Sequence, residues 1–174
     1  MAGLHTGISS NTKAKVCFDA IFEWAYKAKA ITPNQYRRWR SLKGVPHTIC
    51  SGWWKKSSAA LVPDKESARK IATGHLVLFF EGGAFQHIVV SLGNGKVAGV
   101  NNFAIGRKAG FDKFNLADDL TWTEDNEQVL GIYGERKYDV YHTPSSKLGK
   151  NLDNAKINED AYKALLKIKD SRLV

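Results

Sequence analysis

The chain has 174 residues, of which 43% are hydrophobic and 25% charged, with five Trp and eight Phe. These proportions exclude a low-complexity or disordered chain and provide for one domain, residues 1–174, with a real core. Two cysteines exclude a disulfide scaffold, and a net charge of +9 favours anionic partners: nucleic acid, a membrane surface or an acidic polymer such as cell wall.

No basic segment followed by an apolar run opens the chain, and no apolar stretch approaches ~20 residues. The expectation is a protein made in the cytoplasm without a cleaved signal peptide or membrane span. Any export would use a dedicated secretion machine.

Residues 1 to 10 are small and polar and are expected to fray. Ser10, Asn11 or Thr12 can cap a first helix over residues 12 to 30, with Cys17, Ile21, Trp24 and Ala28 on one apolar face. Thr32-Pro33-Asn34-Gln35 is a capping box with Pro at the first helical position. The helix it opens carries Tyr36, Trp39 and Leu42 and stops at Gly44. Arg37, Arg38, Arg40 and Lys43 beside Trp39 read as a solvated face more readily than as phosphate contacts. Residues 45 to 62 read as irregular. Asp64 caps a short helix closed by Gly74.

A β block follows: residues 75 to 80, then a hairpin of residues 86 to 92 and 96 to 102 around Gly93-Asn94-Gly95. Further strands are expected at 128 to 133 and 138 to 142, and a helix from Asn158. Helices first and an antiparallel sheet after read as α+β.

Cys17 near a helix start and His87 at a strand start are the pair that thiol chemistry needs. The helix N-terminus helps hold a thiolate, and the imidazole takes and returns the proton. A third group should orient the base, and the hairpin offers two. A three-residue loop sets His87 opposite Asn101, and a two-residue loop sets it opposite Asn102. A Cys and a His by themselves are more often core groups. Asn11, six residues before Cys17, is a weak oxyanion donor whose plainer role is an N-cap. Asp112, Asp118 and Asp119 read as loop residues. His47-x-x-Cys50 lacks the second pair a zinc site needs.

Three segments resemble one family. Cys17-Phe18-Asp19-Ala20-Ile21-Phe22-Glu23-Trp24 is similar to the nucleophile helix of NlpC-type peptidases, a papain-like group that cuts amide bonds in cell-wall peptides. Gly74-His75-Leu76-Val77-Leu78-Phe79-Phe80 resembles that family's Gly-Asp-Leu-Val-Phe-Phe strand. His87-Ile88-Val89-Val90-Ser91-Leu92-Gly93-Asn94-Gly95-Lys96 resembles its His-Val-Gly-Ile-Tyr-Leu-Gly-Asn-Gly-Lys segment with the spacing kept. The resemblance spans roughly residues 12 to 105 and extends to papain-like effector toxins that bacteria inject into other cells.

It implies a papain-like fold and a Cys-His-Asn thiol hydrolase without metal or organic cofactor. Its substrate would be a peptide or protein, with cell-wall peptide first and an immunity protein as a partner. Deamidation or transglutamination of protein glutamine on the same fold is the first alternative. A non-enzymatic basic module that binds nucleic acid is the second. The pattern departs in two places. Val16-Cys17-Phe18-Asp19 stands where the family has Asp-Cys-Ser-Gly, and Gly99 stands where it has its third polar residue. Asn101, two residues on, keeps the sheet face of Gly99, which favours it over Asn102. Cys50, in Cys50-Ser51-Gly52, copies the short signature and is the rival nucleophile.

Overall fold

A computed structural model describes residues 3–174. It is α+β: three helices precede an antiparallel sheet and two follow it. The helices are α1 Cys17–Lys27, α2 Pro33–Arg40, α3 Pro46–Trp53, α4 Leu148–Asn154 and α5 Glu159–Leu166. The strands are β1 Ala60–Val62, β2 Leu76–Glu81, β3 Ala84–Gly93, β4 Lys96–Gly99, β5 Asp112–Asn115, β6 Val129–Leu130 and β7 Lys137–Thr143. The sheet runs β1-β7-β2-β3-β4-β5, with β6 paired to β7, and every pairing is antiparallel.

Alternation along the central strands divides the core in two. Leu76, Leu78, Phe80, Ile88 and Val90 face the α1–α2 side, where they meet Cys17, Ile21, Phe22, Trp24 and Trp39. Val77, Phe79 and Val89 face the opposite side, with Val97, Phe114, Leu116 and Tyr138. β2 and β3 are therefore apolar in continuous runs because both of their faces are covered.

Local signals hold where capping chemistry sets them. Thr32 and Gln35 close a reciprocal capping box, and Asn158 caps α5 by accepting from the Ala161 N–H. Asp64 accepts from Ser67 at 2.8 Å, but the segment it opens is one turn of 3₁₀ helix, Ser67–Lys70.

Several expectations are corrected. α1 begins at Cys17, not at residue 12, and its N-cap position is Val16, so Ser10, Asn11 and Thr12 cap nothing. Thr12 instead bonds the buried Glu23 carboxylate. The opening segment is packed from residue 4. Leu4 and Gly7 are buried in a 3₁₀ turn, and Gly7 lies so close to the Trp24 carbonyl that a Cβ there would clash. Met1 and Ala2 lie outside the described residues. Residues 46–53 form α3, for which Pro46 at the first position was the available start signal.

Arg37 and Arg38 of α2 are not a solvated face, and Arg40, though exposed, is also bonded to a backbone carbonyl. Arg37, 5% exposed, donates to the carbonyls of Leu165 and Ile168 and pairs with Asp170 at 2.6 Å. Arg38 donates to Leu152 and Ala155, and Arg40 to Leu173. They fasten the C-terminal helices to α2 by satisfying carbonyls that helix ends leave open. No helix among the described residues is long and apolar enough to cross a membrane.

Candidate active site

α1 delivers its first residue to the middle of β3. Cys17 is 7% exposed, and its sulfur meets the backbone N–H of Ile88, the residue that follows His87. Burial pushes the Cys17 thiol up to about 11. The N–H groups of Ile88, Phe18 and Cys17 itself pull the other way, as a helix start should. Their pull is smaller than the cost of moving a thiolate out of water, so the thiol is protonated at neutral pH.

His87 lies on the β3 face shared with Val89. Its ring packs against Phe79, its cross-strand partner, with centroids 5.7 Å apart. It is 3% exposed, and burial drives it down to about 4 while the Asn102 bond acts in the opposite direction. His87 Nε2 and Asn102 Oδ1 are 2.8 Å apart, and Asn102 Nδ2 donates to the Gly99 carbonyl at 2.9 Å. The second bond sets the amide's orientation. Its oxygen must face the ring, so Nε2 carries the proton and Nδ1 is the basic nitrogen.

Asn101 does not bond the His87 ring; Asn102 does. The loop is the two-residue Asn94-Gly95 turn, closed by Gly93 against Lys96, with Asn94 and Gly95 both left-handed. A bulge at Leu92 then resets the ladder, so Ser91 pairs with Val97 and Val90 with Ala98. That register, extended, would place Asn101 opposite His87. β4 ends at Gly99 first. Asn101 takes φ 60°, donates its backbone N–H to Ala109 and points outward, exposed. The reversal tucks Asn102 inward at 0% exposure.

Gly99 is what makes room. A Cβ there would stand 2.6 Å from Asn102 Oδ1 and 2.5 Å from Val89 Cγ1. The Asn102 amide thus occupies the space that a side chain at position 99 would fill.

The other candidates fall outside this group. Asn11 is exposed and donates its backbone N–H to Ser9 Oγ, with no contact to the thiol. Cys50 lies within α3 at 0% exposure. Burial raises its thiol further than that of Cys17, and Cys17 and Asp19 add to the effect. His47 lies edge-on to Phe18 and tilted against Phe85 from the exposed side of the same helix. No group of three metal-binding side chains occurs among the described residues. Asp112 pairs with Arg107, Asp118 with Arg69, and Asp119 accepts from the Asn115 N–H.

Cys17 lies on the α1–α2 face of β3 and His87 on the opposite face with Val89 and Phe79, so the sheet backbone separates thiol from imidazole, no hydrogen bond joins them, and at neutral pH both are uncharged. Two clefts flank the helix start. One, of about 350 Å³, is lined by Lys13, Asp19, Glu23 and Trp39, and the other, of about 570 Å³, by His47, Trp54, Phe85 and Gln86. Neither is lined by Cys17 or His87. Comparison with protein-family models, with curated proteins and with solved structures found no match.

Proposed function

We propose that this chain is a papain-like, cysteine-dependent hydrolase of amide bonds in which Cys17 is the nucleophile, His87 the base and Asn102 the orienting group. One observation carries the reading. The Asn102 amide fills the space over Gly99, where the papain-like pattern has its third polar residue, and it fixes the His87 tautomer with Nδ1 basic.

In the proposed reaction the Cys17 thiol gives its proton to Nδ1 as the sulfur attacks the carbonyl carbon. The backbone N–H of Cys17, at the helix start, faces the developing oxyanion. The imidazolium returns the proton to the leaving amine, and water then hydrolyses the thioester. The resting thiol and imidazole are uncharged and face opposite sides of β3, so the reaction requires β3 to turn His87 toward α1 on substrate binding, and a β3 that keeps its register with substrate bound would overturn the pairing.

Cell-wall peptide is the first substrate and a protein of a competitor or host cell the second. An exported toxin with an immunity partner fits both. The same groups would deamidate or cross-link protein glutamine. Wild type, Cys17→Ala, Cys50→Ala and His87→Ala should be incubated with cell-wall stem peptides and with a glutamine-rich protein, and the products weighed by mass spectrometry. Cys17→Ala and His87→Ala are expected to lose about a thousandfold or more, and Cys50→Ala little. Ammonia release without chain cleavage would select deamidation. Full activity in Cys17→Ala would end the thiol reading.

A further inference from the structure

Two imidazoles meet elsewhere on the sheet. His142 lies in β7, directly opposite Val77 of β2, and His75 precedes Val77 by two residues, so both rings take the same face. Their Nδ1 atoms are 3.0 Å apart, with ring centroids 5.2 Å apart and planes 27° from parallel. Both side chains are half-buried, so solvent reaches the pair. Among the described residues neither ring makes another hydrogen bond.

We propose that His75 and His142 form a two-imidazole site for a first-row transition-metal cation of the Zn²⁺, Ni²⁺ or Cu²⁺ class. Imidazole nitrogen is a preferred donor for these ions. Two nitrogens each about 2.0–2.1 Å from one metal stand about 2.8–3.0 Å apart when they subtend a right angle, and about 3.3–3.4 Å at the tetrahedral angle. The observed 3.0 Å is the spacing of two adjacent positions around an octahedral or tetragonal ion. Tetrahedral zinc needs an opening of only about 0.4 Å.

Both rings are available in the neutral form that a metal requires. Burial lowers His75, and burial followed by the charge of His75 lowers His142. The pair shares one Nδ1 proton. Moving it to Nε2 of the same ring changes the tautomer without changing charge and turns both Nδ1 lone pairs to the ion. β2 and β7 are hydrogen-bonded neighbours, so the spacing is held by the sheet rather than by loops. Water completes the coordination, so affinity falls below that of a four-ligand structural site. The site is independent of the hydrolase reading.

Untagged full-length protein should be titrated with NiCl₂, CuCl₂ and ZnCl₂ by calorimetry. One cation per chain is expected, bound about tenfold or more weaker by His75→Gln and by His142→Gln, and unchanged in Cys17→Ala, Cys50→Ala and His47→Gln. Electron paramagnetic resonance of the Cu²⁺-loaded wild type needs no variant to fold. It should show splitting from two nitrogen donors. A spectrum without nitrogen splitting, no binding at millimolar cation, or equal affinity in the double His75→Gln, His142→Gln variant would overturn the assignment.

Discussion

Asn101 and Asn102 are adjacent and chemically identical, yet the backbone gives them opposite tasks. Asn102→Ala removes the partner of His87 Nε2 and uncovers the Gly99 carbonyl, both buried. It should cost about 1–3 kcal/mol in urea denaturation and, if the proposed chemistry holds, about tenfold to a hundredfold in rate. Asn101→Gly should leave stability unchanged or slightly raised, because φ 60° is free of strain in glycine. Gly99→Ala should mimic Asn102→Ala, since the new methyl displaces the amide. His87 makes acid stability a second test. Its folded value of about 4 lies below the 6.5 of an unperturbed imidazole. The unfolded chain therefore takes the proton first. The His87 contribution is complete above pH ~6.5 and is lost as pH falls toward ~4, by up to about 3 kcal/mol. His87→Gln should flatten that slope in denaturation curves across this range. The thiol sets a third test. With Cys17 at about 11, iodoacetamide should label it slowly at pH 7.5, and the rate should climb steadily toward pH 10. Cys50 should label more slowly still. Rapid labelling of Cys17 at neutral pH would mean that β3 already turns His87 toward the sulfur at rest.

At the scale of elements, α1 is placed by its own apolar stripe and α2 by contacts far along the chain. Arg37 reaches three groups between residues 165 and 170 from a buried position. Arg37→Met should cost about 2–4 kcal/mol, because the carbonyls of Leu165 and Ile168 lose a charged donor. Hydrogen exchange should rise first in α5 and the turn after it, and the β2–β3 pairing should stay protected. Uniform loss of protection would mean that the C-terminal segment folds as one unit with the sheet. A sequence pattern cannot show this clamp. Arg37, Arg38 and Arg40 look like any basic helix face until the chain returns with open carbonyls. α3 is the reverse case: Pro46 announced it, but Gly52 and the pair Trp53-Trp54 masked the helical period. β3 ran beyond its expected start at Gln86 to Ala84 because Phe85 also faces the core.

For the whole molecule, the +9 charge is spread over a surface on which the α2 arginines are already bonded to backbone carbonyls. Binding to DNA should therefore be weak and should vanish as salt rises through the physiological range, measured by fluorescence anisotropy. A tight complex that survives such salt would favour the nucleic-acid module over the hydrolase. The local chain determined what local physics controls. The Thr32 box, the Asn158 cap, the Asn94-Gly95 turn and the apolar runs of β2 and β3 needed only neighbours in sequence, and from them followed the α+β order of elements. Cys17, His87 and the two asparagines could be named because residue type limits chemistry. Tertiary structure alone decided how they are used. It ended β4 at Gly99, so hairpin register never reached His87 and the left-handed turn at Asn101 chose Asn102. It buried the thiol and the imidazole far enough to leave both uncharged, an effect of desolvation that no spacing records. It also brought His75 to His142 across 67 positions of chain, because strand partners are chosen by the sheet and not by proximity in sequence.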